Sequence, residues 1–293
     1  MIRKLTLVAL AAVLALSVLS PAEAQRGRKQ RKGKKAPTPA AEAAAEPSGA
    51  GSAPAAGPAS PDVGRPSPEP DGVWREVEPE ILAYAIAPAR ATLARAKDPA
   101  AAGTLVAEGR ILTLEARYAD AVARFDRAAA AAPEDPAPLV HKGEALLYAR
   151  QEGPARQALS SAKARAQARV DQNPRDAEGW LHLGMAQRHL GEHDAAYAAL
   201  ERARALTPDD ERVVYEMGAT RYVQQRWQPA IDLLDQALGL NPRVAYAYYL
   251  RGMAASQANR KDLTVNDLGR FLEIAPNAPE AERARKILES VKR

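Results

Sequence analysis

Cysteine is absent from the 293 residues. That absence excludes a disulfide framework and a thiolate metal site. It also excludes a lipid anchor at the N-terminal processing site read below. Histidine is scarce, with four in the chain. His189 and His193 are four apart, but Gly191 breaks the helix between them. His182 and His189 fall on one helix face near Glu192 and Asp194, and are read as solvent-facing or groove-lining. No glycine-rich phosphate loop, nucleophile elbow or HExxH helix occurs. The acidic residues stand at helical spacing beside arginine and lysine, which surface pairing explains. No catalytic grouping remains. The expectation is a protein that is not an enzyme and needs no metal or cofactor.

Charge is also missing where it would matter for nucleic acid. The chain as a whole carries +5, but residues 25–35 (QRGRKQRKGKK) alone hold seven basic residues. Residues 71–293 sum to zero. The basic balance belongs to a short tail, which argues against the folded part being a general nucleic-acid binder. The tail itself has no interleaved aromatic for base stacking. It reads as a solvated, disordered segment; the functional alternative is electrostatic contact with an anionic surface.

One long apolar run is present, Leu5 to Leu19, after the basic pair Arg3 and Lys4 and before Ala22-Glu23-Ala24. This is the pattern of a secretory signal peptide over residues 1–24. The run is 15 residues, short of the roughly 20 that span a bilayer. An uncleaved anchor is the other reading, because the basic residues that follow resist translocation. Residues 36–73 are mostly Ala, Pro, Gly and Ser and read as a disordered linker.

The rest of the chain is ordered by a period. Gly184, Gly218 and Gly252 are 34 residues apart, and so are Pro208, Pro242 and Pro276. With Ala177 as position 1, Trp180, Leu183 and Gly184 fall at positions 4, 7 and 8. Ala196, Leu200, Ala203 and Pro208 fall at 20, 24, 27 and 32. The spacing puts the first set on one stripe of a first helix and 20, 24 and 27 on one stripe of a second. Small residues at 8 and 20 let the helices approach, and proline at 32 stops the second. Self-similarity at this period is the mark of a helix–turn–helix repeat. The pattern resembles the tetratricopeptide repeat family. The expected fold is all-α: a solenoid of about five repeats, preceded by a disordered tail.

The register gives units at 102–135, 136–176, 177–210, 211–244 and 245–278. Residues 74–101 read as a helical flank holding a degenerate repeat, interrupted near Pro79 and Pro88. Unit one has Glu108 at position 7; unit five has Arg251, Thr264 and Phe271 at 7, 20 and 27. Unit two closes at Pro174, seven residues late, and its second helix is predicted to run two turns longer and to project from the solenoid. Residues 279–293 carry an Ala281, Ala284, Leu288, Val291 stripe and read as a capping helix.

The resemblance implies a concave binding face lined by positions 2, 5, 9, 12 and 13 of each unit. On this chain those positions include Met185, Arg188, His189, Arg212, Tyr215, Tyr222, Tyr246, Tyr249 and Met253. Five of the nine tyrosines lie between Tyr215 and Tyr249. Tyrosine combines apolar area with a polar tip at low entropy cost, which suits a binding surface. The Lys and Asn clamp with which some relatives hold a C-terminal carboxylate is missing. The expected function is an exported, non-catalytic scaffold for another envelope or secreted protein, held as an extended or helical segment.

Overall fold

The computed structural model describes residues 73–291. The expectations for residues 1–24, 25–35 and the linker, up to its last residue, lie outside the described residues. Every ordered element among the described residues is an α-helix or a turn.

Two helices precede the regular units, α1 (Val73–Leu82) and α2 (Ile86–Leu93). Pairs then follow at the 34-residue spacing. Unit one is α3 (Ala102–Leu114) with α4 (Tyr118–Ala131), and unit two is α5 (Ala137–Tyr148) with α6 (Glu152–Gln172). Unit three is α7 (Ala177–Leu190) with α8 (His193–Leu206), and unit four is α9 (Glu211–Val223) with α10 (Trp227–Leu240). Unit five is α11 (Ala245–Gln257) with α12 (Lys261–Ile274), and α13 (Ala281–Val291) closes the series.

The core of each unit is a knob in a hole. The residues at positions 20, 24 and 27 of all five units are at most 1 % exposed. Position 24 drives into the space left by the glycine at position 8. A Cβ added at Gly143 would lie 2.5 Å from Leu159 Cγ, and one at Gly184 would lie 2.6 Å from Leu200 Cγ. Only glycine permits that approach. Between units, Trp180 Nε1 donates to the Pro174 carbonyl (3.0 Å) and Tyr248 Oη to the Pro242 carbonyl (3.1 Å). The aromatic at position 4 therefore ties each of these units to the proline that closes the one before.

Each first helix ends in the same turn. Ala116, Arg150, Gly191, Gln225 and Asn259 are all left-handed, with φ between 56° and 87°. The next residue donates its N–H to the carbonyl five back, as Arg117 does to Leu112 (2.9 Å) and Arg226 to Arg221 (3.0 Å). This is the hydrogen-bond pattern that satisfies the last carbonyls of a helix. Glycine occupies it once; four other residue types are held there by the packing on both sides.

Two local expectations need correction. The N-terminal flank does not break at its prolines. Pro79 lies inside α1 and Pro88 in the first turn of α2, where a missing N–H leaves no helical bond unmade. The break is at Tyr84, left-handed at φ 54°. The late proline of unit two does reflect a longer helix: α6 has 21 residues against 14 for α8. Those added turns do not project. Ala166 and Val170 are buried against Leu183, Ala199 and Trp180, and Arg169 pairs with Asp176 at 2.8 Å. The charged residues at position 7 are paired within the units that carry them. Arg251 makes a two-pronged contact with Asp267 (2.7 and 2.8 Å), and Glu108 forms an ion pair with Arg124, 2.9 Å from its Nε. Both pairs join position 7 to position 23, with the signs exchanged.

Candidate functional site: the concave face

The first helices of successive units place their positions 2, 5, 9, 12 and 13 on one side. These side chains are not bare. Some make buried polar contacts within and between units, and the others pack into the apolar core.

The polar contacts begin in α1, where Glu78 pairs with Arg110 of unit one. Burial raises the Glu78 pKa, but Arg110 outweighs that and holds the carboxyl below its ordinary range. In units two and three, Glu144 sits between two imidazoles: His141 Nδ1 at 2.8 Å and His189 Nε2 at 3.0 Å. Burial again acts upward, and the two histidine hydrogen bonds hold Glu144 well below the carboxylate range. Arg188 is buried against Glu216 of unit four, with Nη2 2.8 Å from the carboxylate. Arg212 spans Asp210 (2.6 Å) and Glu178 of unit three. His182 is buried nearby, and desolvation lowers its pKa against the pull of Glu178.

The second half is aromatic. Tyr215 is half-buried between two apolar clusters. Tyr222 is buried against Trp227, ring centres 5.6 Å apart. Tyr249 packs on Phe271 at 5.0 Å, and Met253 lies in the core at 1 % exposure. The buried Tyr249 hydroxyl does not reach hydrogen-bond geometry, and Arg283 is the cation acting on it. Tyr246 donates to Glu280 Oε2 at 2.8 Å.

The residues singled out in the sequence are therefore brought together, but not as a free surface. Met185, Arg188, Tyr222, Tyr249 and Met253 are buried in this structure, each against its own chain. His189, Arg212, Tyr215 and Tyr246 make the contacts just described. Among the described residues no group of three or more His, Asp or Glu could hold a metal ion. No helix among them is long and apolar enough to cross a membrane.

Sequence reasoning missed Glu280, Tyr84 and the acids that match the concave arginines. Glu280 stands 34 residues after Tyr246, at position 2 of what would be a sixth unit. Following the period one step further would have found it. Tyr84 donates to the Leu114 carbonyl at 2.9 Å and lies 6.4 Å from Tyr246, ring centre to ring centre. It thereby joins the flank to unit five. A cleft of about 410 Å³ lies at that meeting, lined by residues that include Tyr84, Leu114, Pro276 and Pro279.

Stacked helix pairs with a glycine–leucine lock and a row of inward side chains define a repeat solenoid of the protein-binding class. Two tetratricopeptide repeat family models match the chain, over residues 177–220 and 219–289. Residues 177–289 are thus tetratricopeptide repeats by sequence, and the described solenoid shares their fold. Among curated proteins it is similar to the BBSome complex member BBS4 of Mus musculus, 27 % identical over 84 residues. That match covers 29 % of this chain and 16 % of the mouse protein, so the chain aligns with about a sixth of that relative's length. Among solved structures it is similar to a thermophilic TPR protein of Thermus thermophilus. The TM-score is 0.50 at 20 % identity, covering 65 % of this chain and 98 % of that one. A chain of the APC/C hetero-tetramer Cut9–Hcn1 gives a TM-score of 0.50 at 19 % identity, covering 75 % of this chain and 41 % of that one. These likenesses establish the fold.

Proposed function

We propose that the protein is a non-catalytic scaffold of the bacterial envelope. It is exported by its N-terminal signal segment and binds a segment of another envelope or secreted protein on the concave face. Its tetratricopeptide repeats belong to a class of protein-interaction scaffolds. One observation supports the groove in particular: positions 2, 9 and 13 of separate units converge on one another, as His189 with Glu144, Arg212 with Glu178, and Tyr148 and Tyr246 with Glu280. Convergent aromatic and charged side chains on a stiff scaffold are what a binding face requires.

The test is a crosslinking pull-down from the envelope fraction. It compares the wild type, a deletion of residues 25–35, and a Tyr215→Phe, Tyr246→Phe, Tyr249→Phe variant. Phenylalanine removes the hydroxyls while keeping the buried rings, so the fold is retained. A partner that survives the tail deletion and is lost from the tyrosine variant is the expected result. Undiminished capture by the tyrosine variant overturns the groove reading.

The seven basic residues at 25–35 favour a second reading, an electrostatic tether on an anionic surface. Binding of that kind weakens steeply between low and moderate salt, and the tail deletion abolishes it.

A further inference from the structure

In a solenoid each unit touches its neighbours, and contacts between distant units are not part of the repeat. Glu280 makes one. It accepts from Tyr246 of unit five at 2.8 Å and from Tyr148 of unit two at 3.3 Å, across 132 residues of sequence. Tyr148 stacks on Tyr118 of unit one, ring centres 5.9 Å apart and 9° from parallel. Tyr84 meets Tyr246 beside it. The two ends of the described solenoid are joined here.

The chemistry of the contact is unusual for this chain. Elsewhere on the concave face an acid faces a cation or an imidazole: Glu78 has Arg110, Glu216 has Arg188, and Glu144 has its two histidines. Glu280 is 6 % exposed, and among the described residues its carboxylate is held by the two tyrosine hydroxyls and a backbone N–H, all neutral donors. Six tyrosines feel its charge: Tyr84, Tyr118, Tyr148, Tyr215, Tyr246 and Tyr249. A buried carboxylate without a cation keeps much of its desolvation cost, and burial indeed pushes the Glu280 pKa up. Such a contact specifies a carboxylate while remaining easy to exchange.

We propose that Glu280 is an internal ligand of the concave face: it fills a tyrosine-hydroxyl site formed by Tyr148 and Tyr246, and an acidic side chain on a partner segment competes for that site and parts units two and six. This rests on the groove reading above and adds the partner's chemistry to it. The occupant is a protein segment presenting a glutamate or aspartate among small or apolar residues, the character of the chain's own Ala-Pro-Asn-Ala-Pro-Glu at 275–280.

The chain has no cysteine, so a spin-label pair can be placed without background. Gln151→Cys beyond α5 and Glu289→Cys on α13 are both exposed positions that straddle the contact. The full chain is expected to show one narrow distance, and Glu280→Ala a longer, broader distribution. The probe is the peptide of residues 275–283, added in its Glu280 form and in a form with glutamine at that place. The glutamate form should shift the wild type toward the Glu280→Ala distribution with about tenfold greater potency than the glutamine form, the loss expected for one charge-assisted hydrogen bond. Should Glu280→Ala lose helicity by circular dichroism, Tyr148→Phe with Tyr246→Phe removes the same hydrogen bonds while keeping the rings. A distance unchanged in the variants overturns the internal contact; equal potency of the two peptides overturns the carboxylate site. Neither outcome depends on a cellular partner, so failure here and failure of the pull-down are separate results.

Discussion

The glycine at position 8 can be tested quantitatively. At Gly143 an alanine Cβ would lie 2.5, 2.6 and 3.3 Å from Leu159 Cγ, Cδ2 and Cδ1, its three nearest atoms outside its own helix backbone. Comfortable carbon–carbon separation is about 3.5–4.0 Å, so helix and leucine must part by about 1 Å. Leu159 is 1 % exposed and cannot swing into solvent. Overpacking of this kind costs about 1–3 kcal/mol, while alanine in place of glycine returns about 1 kcal/mol of helix propensity. Gly143→Ala should therefore destabilise by up to about 2 kcal/mol. Gly269, inside α12, has nothing within 4 Å of its added Cβ, and Gly269→Ala should stabilise by about 0.5–1 kcal/mol.

Opposite signs from one substitution type are a sharp outcome, and a double-mutant cycle sharpens it. Leu159→Ala alone should cost about 2–5 kcal/mol by leaving a cavity. In the Gly143→Ala, Leu159→Ala double variant the new methyl meets no leucine, so the clash disappears. The pair should be more stable than the sum of its singles by about 1–2 kcal/mol. Urea unfolding followed by far-UV circular dichroism reads all four corners of the cycle. Additive singles, or a Gly143→Ala that stabilises as Gly269→Ala does, would refute the knob-in-hole account of the period.

Other outcomes follow from the same structure. At the left-handed turn, Gln225→Gly should leave stability unchanged or raise it by up to about 1 kcal/mol, while Gly191→Ala at the equivalent place should cost about 1–2 kcal/mol; thermal midpoints of the two variants decide it. Breaking the buried pair with Asp267→Asn should cost about 3 kcal/mol, whereas Arg251→Leu with Asp267→Ala should restore most of it, since apolar packing replaces such pairs well. The acid limb has opposing contributions. Glu144 has a depressed pKa, so its contribution is present above the ordinary value of 4.5 and is lost as pH falls through the depressed one. Glu280 has a raised pKa, so its contribution is present below 4.5 and is lost as pH rises through the raised one. Unfolding free energies measured from pH 7 to 2.5 should fall less steeply in Glu144→Gln and more steeply in Glu280→Gln than in the wild type.

Much of this was legible because a repeat shows the same local solution several times. The stripe at positions 20, 24 and 27 reads directly from spacing, since side chains that far apart must share a helix face. The seven-residue delay of Pro174 could be read as two helical turns on the same argument, while its packing could not. That depended on Trp180 and Leu183 lying opposite Ala166 and Val170, a fact about the next unit. The turns at Ala116, Arg150, Gln225 and Asn259 escaped notice because the usual sign of a left-handed residue is glycine, and only Gly191 bears it. The Arg251–Asp267 pair is not visible from position 7 alone; position 23 supplies the matching charge in both units that depart.

The concave face marks the boundary of what the register can say. A period fixes which side of a helix a residue occupies, and it fixes contacts with the next unit, because both are local. It says nothing about contacts four units away, which depend on how small rotations accumulate along the solenoid. Tyr246 and Tyr148 carry no sequence mark that would bring both to Glu280; only the summed geometry of units two to five does that. The tyrosines look like an open aromatic groove in the sequence and a closed one in the structure. The two descriptions agree if the partner's segment and the chain's own 275–280 compete for the same hydroxyls. On that view the tyrosines were selected for a site that has an occupant in both states, which explains why so much aromatic surface on a scaffold is not left exposed to water.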